Sequence, residues 1–160
     1  MINKEQVWQQ LFAQLTTLID VAKAAAKRAH DTATDDENVA ENKYDTLGLE
    51  AAYLAQGQQE RVLQCQDDLE KYRALKNQYH GDGRVKPGCV VTLLDESEQL
   101  RHFLVGVGAG GVKLEVENSS VLVITPAAPL GRALMGLQVD DEVSLTIGGN
   151  QIDYEVTAVN

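Results

Sequence analysis

The sequence predicts an α+β protein: an antiparallel α-helical coiled-coil hairpin followed by a β-rich C-terminal half. Three observations carry this expectation. No glycine or proline interrupts the chain before Gly48, and apolar residues recur at helical spacing from Val7 onward. Five carboxylates crowd into residues 34–45, between two stretches of helical character. After Gly83 the pattern changes to short apolar runs separated by glycine-rich and polar turns. The boundaries that follow are residues 1–80 for the hairpin, with its acidic tip near 34–45, and residues 85–160 for the β-rich domain.

Asn3 is placed to cap the first helix, with Glu5 and Gln6 in its first turn. The apolar stripe runs through Val7, Leu11, Leu15, Leu18, Ala22, Ala25 and Ala29, widened by Trp8, Phe12, Ile19 and Ala26. The alanines give high helicity and a thin surface that a second helix can approach closely. Thr34-Asp35-Asp36-Glu37 matches a capping box, and Asn38 to Glu41 offers a similar start, so a new helix is expected to begin between Thr34 and Asn38. Its stripe is Leu47, Ala51, Leu54, Val62, Cys65, Leu69, Tyr72, Leu75 and Tyr79, and Gly81-Asp82-Gly83 ends it. Helices of about 30 residues at about 1.5 Å rise make a hairpin roughly 45 Å long, with the acids at its far end.

Those acids have two readings. Asp35, Asp36 and Glu37 suit a helix's first turn, where the macrodipole favours each by about 0.3–1 kcal/mol. Glu41 and Asp45 then form a solvated face. Alternatively the cluster is functional: Glu37, Glu41 and Asp45 are spaced by four and share one face if the helix starts early.

In the second half, strands are expected over 89–94, 99–107, 112–116, 121–125, 143–147 and 151–159, with one short helix over 130–135. Gly148-Gly149-Asn150 between the last two is a hairpin signal. The run Val121–Thr125 suits a strand buried on both faces.

The net charge of −10 and pI near 4.6 argue against a general nucleic-acid binder, which needs Lys and Arg on one face. They are compatible with a partner that has a basic channel or a metal. Cys65 and Cys89 lack partners for a zinc site and are expected to be buried thiols. No signal peptide is read at the polar N-terminus and no run spans a bilayer, so a reduced, cytoplasmic protein without a membrane partner is expected. Neither a phosphate loop nor a nucleophile–base pair is visible, and His30 reads as a surface residue near a helix C-terminus.

The segment from Thr125 to Gly136, followed by Val139-Asp140-Asp141-Glu142-Val143, then Gly148-Gly149 and Tyr154-Glu155-Val156, resembles the C-terminal signature of the Gre family of bacterial transcription elongation factors. The order of hairpin and β-rich half is similar to that family across the whole chain. The resemblance implies an FKBP-like C-terminal domain that docks on RNA polymerase and a coiled coil that enters the polymerase's secondary channel. It implies that tip acids help hold a catalytic Mg²⁺ at the polymerase active centre and promote cleavage of backtracked RNA. The polymerase would perform the chemistry, so the factor is no stand-alone enzyme. It is expected to be a monomer that meets RNA and DNA only within the transcription complex. The assisting acids carried over are Asp35, Asp36, Glu37 and Glu41, with Asp36 and Glu41 named for Mg²⁺ and the acting pair left open: Asp35 or Asp36 can stand in if the turn is longer, and Asp45 is a further alternative. The spacing departs from the family's, in which an acid precedes Glu-Asn by three residues. Here Asn38 precedes Glu41-Asn42, and Thr34 precedes Glu37-Asn38. A channel regulator without cleavage stimulation therefore stands beside the cleavage factor. A prolyl isomerase is disfavoured, because Phe103 and Tyr154 are the few aromatics available for a proline pocket.

Overall fold

The computed structural model describes residues 1–34 and 47–160. The elements are α1 (Lys4–Thr34), α2 (Leu47–Gln78), β1 (Val90–Asp95), β2 (Leu100–Val105), β3 (Lys113–Val116), β4 (Ser119–Ile124), α3 (Pro129–Leu134), β5 (Glu142–Ile147) and β6 (Asn150–Val159). The α+β class and the order of two long helices before a six-stranded sheet are as expected. The chain divides into two compact units, one of Met1–Phe12 with Glu70–Asn160, the other of Ala13–Leu69.

Within the Ala13–Leu69 unit, Leu15, Ile19, Ala22, Ala26 and Ala29 of α1 are buried. Their alternating spacing of four and three is that of a coiled-coil seam. Ala22 and Ala26 pack on Val62 of α2. The alanines explain a correction: Leu54 of α2 is 57% exposed, although Ala51 and Val62 are buried. Short side chains on α1 make a narrow seam that covers only residues pointing straight at it. Gly57 is accommodated within α2, with open space beside its Cα.

Asn3 caps α1 as expected, its side-chain oxygen accepting from the Gln6 amide at 3.2 Å. Thr34, the first capping candidate, is the last residue of α1, and its hydroxyl donates back to the His30 carbonyl at 2.9 Å. Such a bond to the preceding turn competes with the capping geometry. The alternative start at Asn38 lies outside the described residues, as do Asp35, Asp36, Glu37, Glu41 and Asp45.

In the other unit the sheet order is β3-β4-β2-β1-β6-β5, antiparallel except for β2 beside β4. Side chains alternate between its faces. One face carries Val91, Leu93, Phe103, Val105, Ile124, Val143 and Val156, packed with Leu134 of α3. On the opposite face Val90, Leu104, Val121 and Val123 are also fully buried, so β4 is covered on both sides. Two hairpins close with two-residue turns. Gly148 and Gly149 have φ of 59° and 82°, and Glu117 and Asn118 have φ of 50° and 66°. Both match the mirror-image turn that suits strand twist.

The helix ends belong to this unit and run antiparallel within it. Lys76 pairs with Glu5 at 2.8 Å, and Trp8 meets the Tyr72 ring edge-on at 6.2 Å. Lys4 lies with its Nζ 3.3 Å from the Tyr79 ring centre and 3.0 Å from the Asn160 carbonyl oxygen. Burial pulls the Lys4 amine down to about 8 in spite of the ring face beneath it, and pushes the Tyr79 phenol up to about 12. The two act with opposite signs. Between pH 8 and 10.5 the unfolded chain holds the Lys4 proton more tightly, so stability rises with pH. Between pH 10 and 12 the folded chain holds the Tyr79 proton more tightly, so stability falls. Urea titrations of wild type and Lys4→Met, compared at pH 7.5 and pH 10, check the first: the difference shifts in favour of wild type at the higher pH.

Candidate functional site

Two surfaces stand out among the described residues, one in each unit. In the Ala13–Leu69 unit, Lys23, Lys27 and His30 of α1 face Gln56, Gln59 and Gln66 of α2 across a groove of about 590 Å³ floored by Ala26, Ala55 and Val62. The groove exists because alanines keep the helices slim while long polar side chains rise at its edges. Lys27 is tied to Asp31 at 2.9 Å, an exposed pair one helical turn apart. His30 is exposed and lines this groove.

In the sheet unit, the face that carries α3 holds a cleft of about 750 Å³. Phe103, Leu122, Leu130 and Tyr154 line it, and Arg101 and Lys113 stand among its polar residues. The register explains the convergence. Phe103 lies opposite Val91 on β1 and beside Leu122 on β4, while Tyr154 on β6 lies opposite Asp95 of β1. Residues separated by even steps on β1 share a face, so two aromatics more than fifty positions apart meet on one surface. Two aromatics are few for a proline pocket, and their meeting depends on strand order, which local spacing does not show. The legible signal was the period-two pattern placing each on the core side of its strand.

Leu130 reaches the cleft from the turn formed by Thr125–Pro129 and the start of α3. Pro129 begins α3, where its missing N–H is harmless. The Ala128 amide donates to the Thr125 carbonyl at 3.0 Å. Gly131 is buried against that carbonyl, and an added Cβ would lie 2.0 Å from its oxygen. Only glycine lets α3 sit this close to the strand end.

Asp82, Asp95 and Asp153 of the sheet unit are engaged in local structure. Asp95 accepts from the amides of Gln99 and Ser97, each at 2.9 Å, and from Arg101 Nε at 3.0 Å. The Gln99 amide leads in holding its carboxyl below the usual range. A hydrogen bond from Ser144 does the same for Asp153, and one from Lys86 for Asp82. Among the described residues no group of three or more His, Cys, Asp or Glu is arranged to hold a metal ion. Cys65 and Cys89 are free and buried, and burial pushes the Cys89 thiol up. His102 is kept neutral-leaning by burial, and its Nδ1 lies 3.0 Å from the Thr92 hydroxyl.

The acids singled out from the sequence, Asp35, Asp36, Glu37 and Glu41, fall outside the described residues. What the fold provides is their place in the chain, between two helices of 31 and 32 residues. No described helix is long and apolar enough to cross a membrane.

Residues 80–160 match the family described as "Transcription elongation factor, GreA/GreB, C-term". The chain belongs to the GreA/GreB family of transcription elongation factors. It is 28% identical to the transcription elongation factor GreA of Rhodospirillum rubrum over 150 residues, 94% of this chain and 90% of that protein. It is 31% identical to GreA of Sphingopyxis alaskensis over 111 residues, 68% of this chain and 66% of that protein. Among solved structures it is similar to GreA factor homolog 1 (Gfh1) of Thermus thermophilus, with 20% identity, a TM-score of 0.39, and coverage of 93% of this chain and 94% of that one.

Proposed function

We propose that this factor binds RNA polymerase, enters its secondary channel with the helical hairpin and stimulates cleavage of backtracked RNA by the polymerase. The observation that carries the reading is the family match over residues 80–160, in a chain whose two long helices are joined by five carboxylates. The cleft of Phe103, Leu122, Leu130 and Tyr154 serves as the docking surface for the polymerase. Its apolar lining gives affinity and Arg101 and Lys113 give orientation.

The carboxylates of Asp35, Asp36, Glu37 and Glu41 supply oxygen donors of the kind a hard divalent cation takes, and Asp36 and Glu41 are the pair proposed to hold Mg²⁺ jointly with the polymerase. When bound, that ion supplies water activation and stabilisation of developing charge. The chain's own part is to carry its carboxylates to a buried active centre on helices about 46 Å long. On this reading the protein completes the polymerase's site and has no stand-alone activity.

The test is a time course of RNA cleavage in stalled, backtracked complexes with and without the factor. Acceleration supports the reading. A second reading, a channel regulator that does not stimulate cleavage, is favoured by Asn38 and Thr34 standing where the Gre pattern has an acid. It is supported by a protein that displaces an authentic cleavage factor while leaving cleavage at the basal rate. Absence of polymerase binding eliminates both.

A further inference from the structure

The amine of Lys4 sits in a different setting from three other lysines of the chain. Lys27, Lys76 and Lys86 each meet a carboxylate oxygen, at 2.9, 2.8 and 3.0 Å. The polar contact of Lys4 is instead a neutral group, the Asn160 carbonyl, to which its Nζ donates at 3.0 Å. The same nitrogen lies 3.3 Å from the centre of the Tyr79 ring, and the side chain is half-buried. Lys86 stands over that ring too, its Nζ 5.7 Å from the centre, so two like charges share one phenol. Lys4, Tyr79, Lys86 and Asn160 all lie in the unit that contains the sheet.

An ammonium drawn partly out of water needs a compensating charge to stay protonated. A carbonyl and a ring face supply only part of it, and the Lys86 ammonium works against it. The other titratable group beside Lys4 is the Cys89 thiol, which burial disfavours as the thiolate. At pH 7.5 an amine drawn down to about 8 is about one-quarter uncharged, against about one part in a thousand for an ordinary lysine. Only the uncharged amine has a lone pair with which to attack an electrophile. A less basic nucleophile is also a slower one, as with thiols, and this takes back part of the gain.

We propose that Lys4 is a site of acylation by small acyl phosphates, its amine held between the Tyr79 ring and the Asn160 carbonyl and attacking the acyl carbon. The new bond joins that carbon to Nζ. The bond from the carbon to the phosphate oxygen breaks with its electron pair, and the proton lost by nitrogen ends on the departing phosphate. No oxidant or further reactant enters. The Lys86 ammonium, paired with Asp82 at 3.0 Å, places a cation near the ring to attract the phosphate group. A half-buried amine also admits a compact donor more readily than a bulky one. The product has no charge left to place over the Tyr79 ring. The site stands apart from the polymerase function proposed above.

The test incubates the full chain with acetyl phosphate over a range of pH and reads the initial acetylation rate at each lysine by tandem mass spectrometry. At pH 7.5 we expect Lys4 to react about tenfold faster than Lys27, Lys76 and Lys86. Its rate should level off just above pH 8, about two pH units before an ordinary lysine amine would. A Lys4 rate no higher than those of the three paired lysines, or one still climbing at pH 9.5, overturns the proposal. A parallel arm uses acetyl-CoA, a much larger acyl donor, which should show a smaller preference for Lys4 over Lys27. An equal or larger preference with acetyl-CoA overturns the assignment to acyl phosphates.

Discussion

Leu130→Glu is expected to weaken polymerase binding about thirtyfold, taking about 2 kcal/mol as the worth of a central apolar contact. Leu130 lies partly buried at the cleft, with Phe103, Leu122 and Tyr154 also lining it. A carboxylate there must be desolvated whenever a partner closes over the cleft. Some stability is lost as well, because Leu130 packs against the sheet core. A binding titration with purified polymerase, alongside a urea melt, separates the two quantities. The variant is expected to be saturable at high concentration, with cleavage then restored.

Gly131→Ala is expected to cost about 3 kcal/mol of stability, at the upper end for a single methyl group. In an exposed helix the same change helps by about 1 kcal/mol. Here the added carbon would lie 2.0 Å from the Thr125 carbonyl oxygen and 2.7 Å from its carbon, and these are backbone atoms. The same carbonyl accepts from the Ala128 amide, so the turn cannot retreat without breaking its own hydrogen bond. The clash therefore outweighs the propensity. Urea unfolding should show a lower midpoint with an unchanged slope. Because Leu130 is the neighbouring residue, docking should weaken as well.

The helices and most strands were legible because each rests on a local period. The buried seam of α1 and the two-residue turn at Gly148-Gly149 follow from spacing and turn chemistry alone. The β3–β4 turn was harder to see, since Glu117 adopts a positive φ that glycine or asparagine normally signals. Leu54 looked like a core residue by its spacing, but alanines opposite it leave it uncovered. Thr34 looked like a cap, yet the helix before it runs through to that residue. The cleft is not legible in the sequence, because it is assembled across strand order. Phe103 and Tyr154 come to one face through their separate pairings with β1. The acidic stretch is the most visible feature of the sequence, and in the proposed function it acts together with ligands that a partner brings.

The central claim is that this acidic stretch assists the polymerase, and an alanine series tests it most directly. Cleavage of backtracked RNA is timed at saturating factor for wild type and for Asp35→Ala, Asp36→Ala, Glu37→Ala and Glu41→Ala. The account predicts that Asp36→Ala and Glu41→Ala each lower the maximal rate by about a hundredfold, as for other lost electrostatic groups, with polymerase binding retained. Cleavage accelerated equally by wild type and all four variants would contradict it.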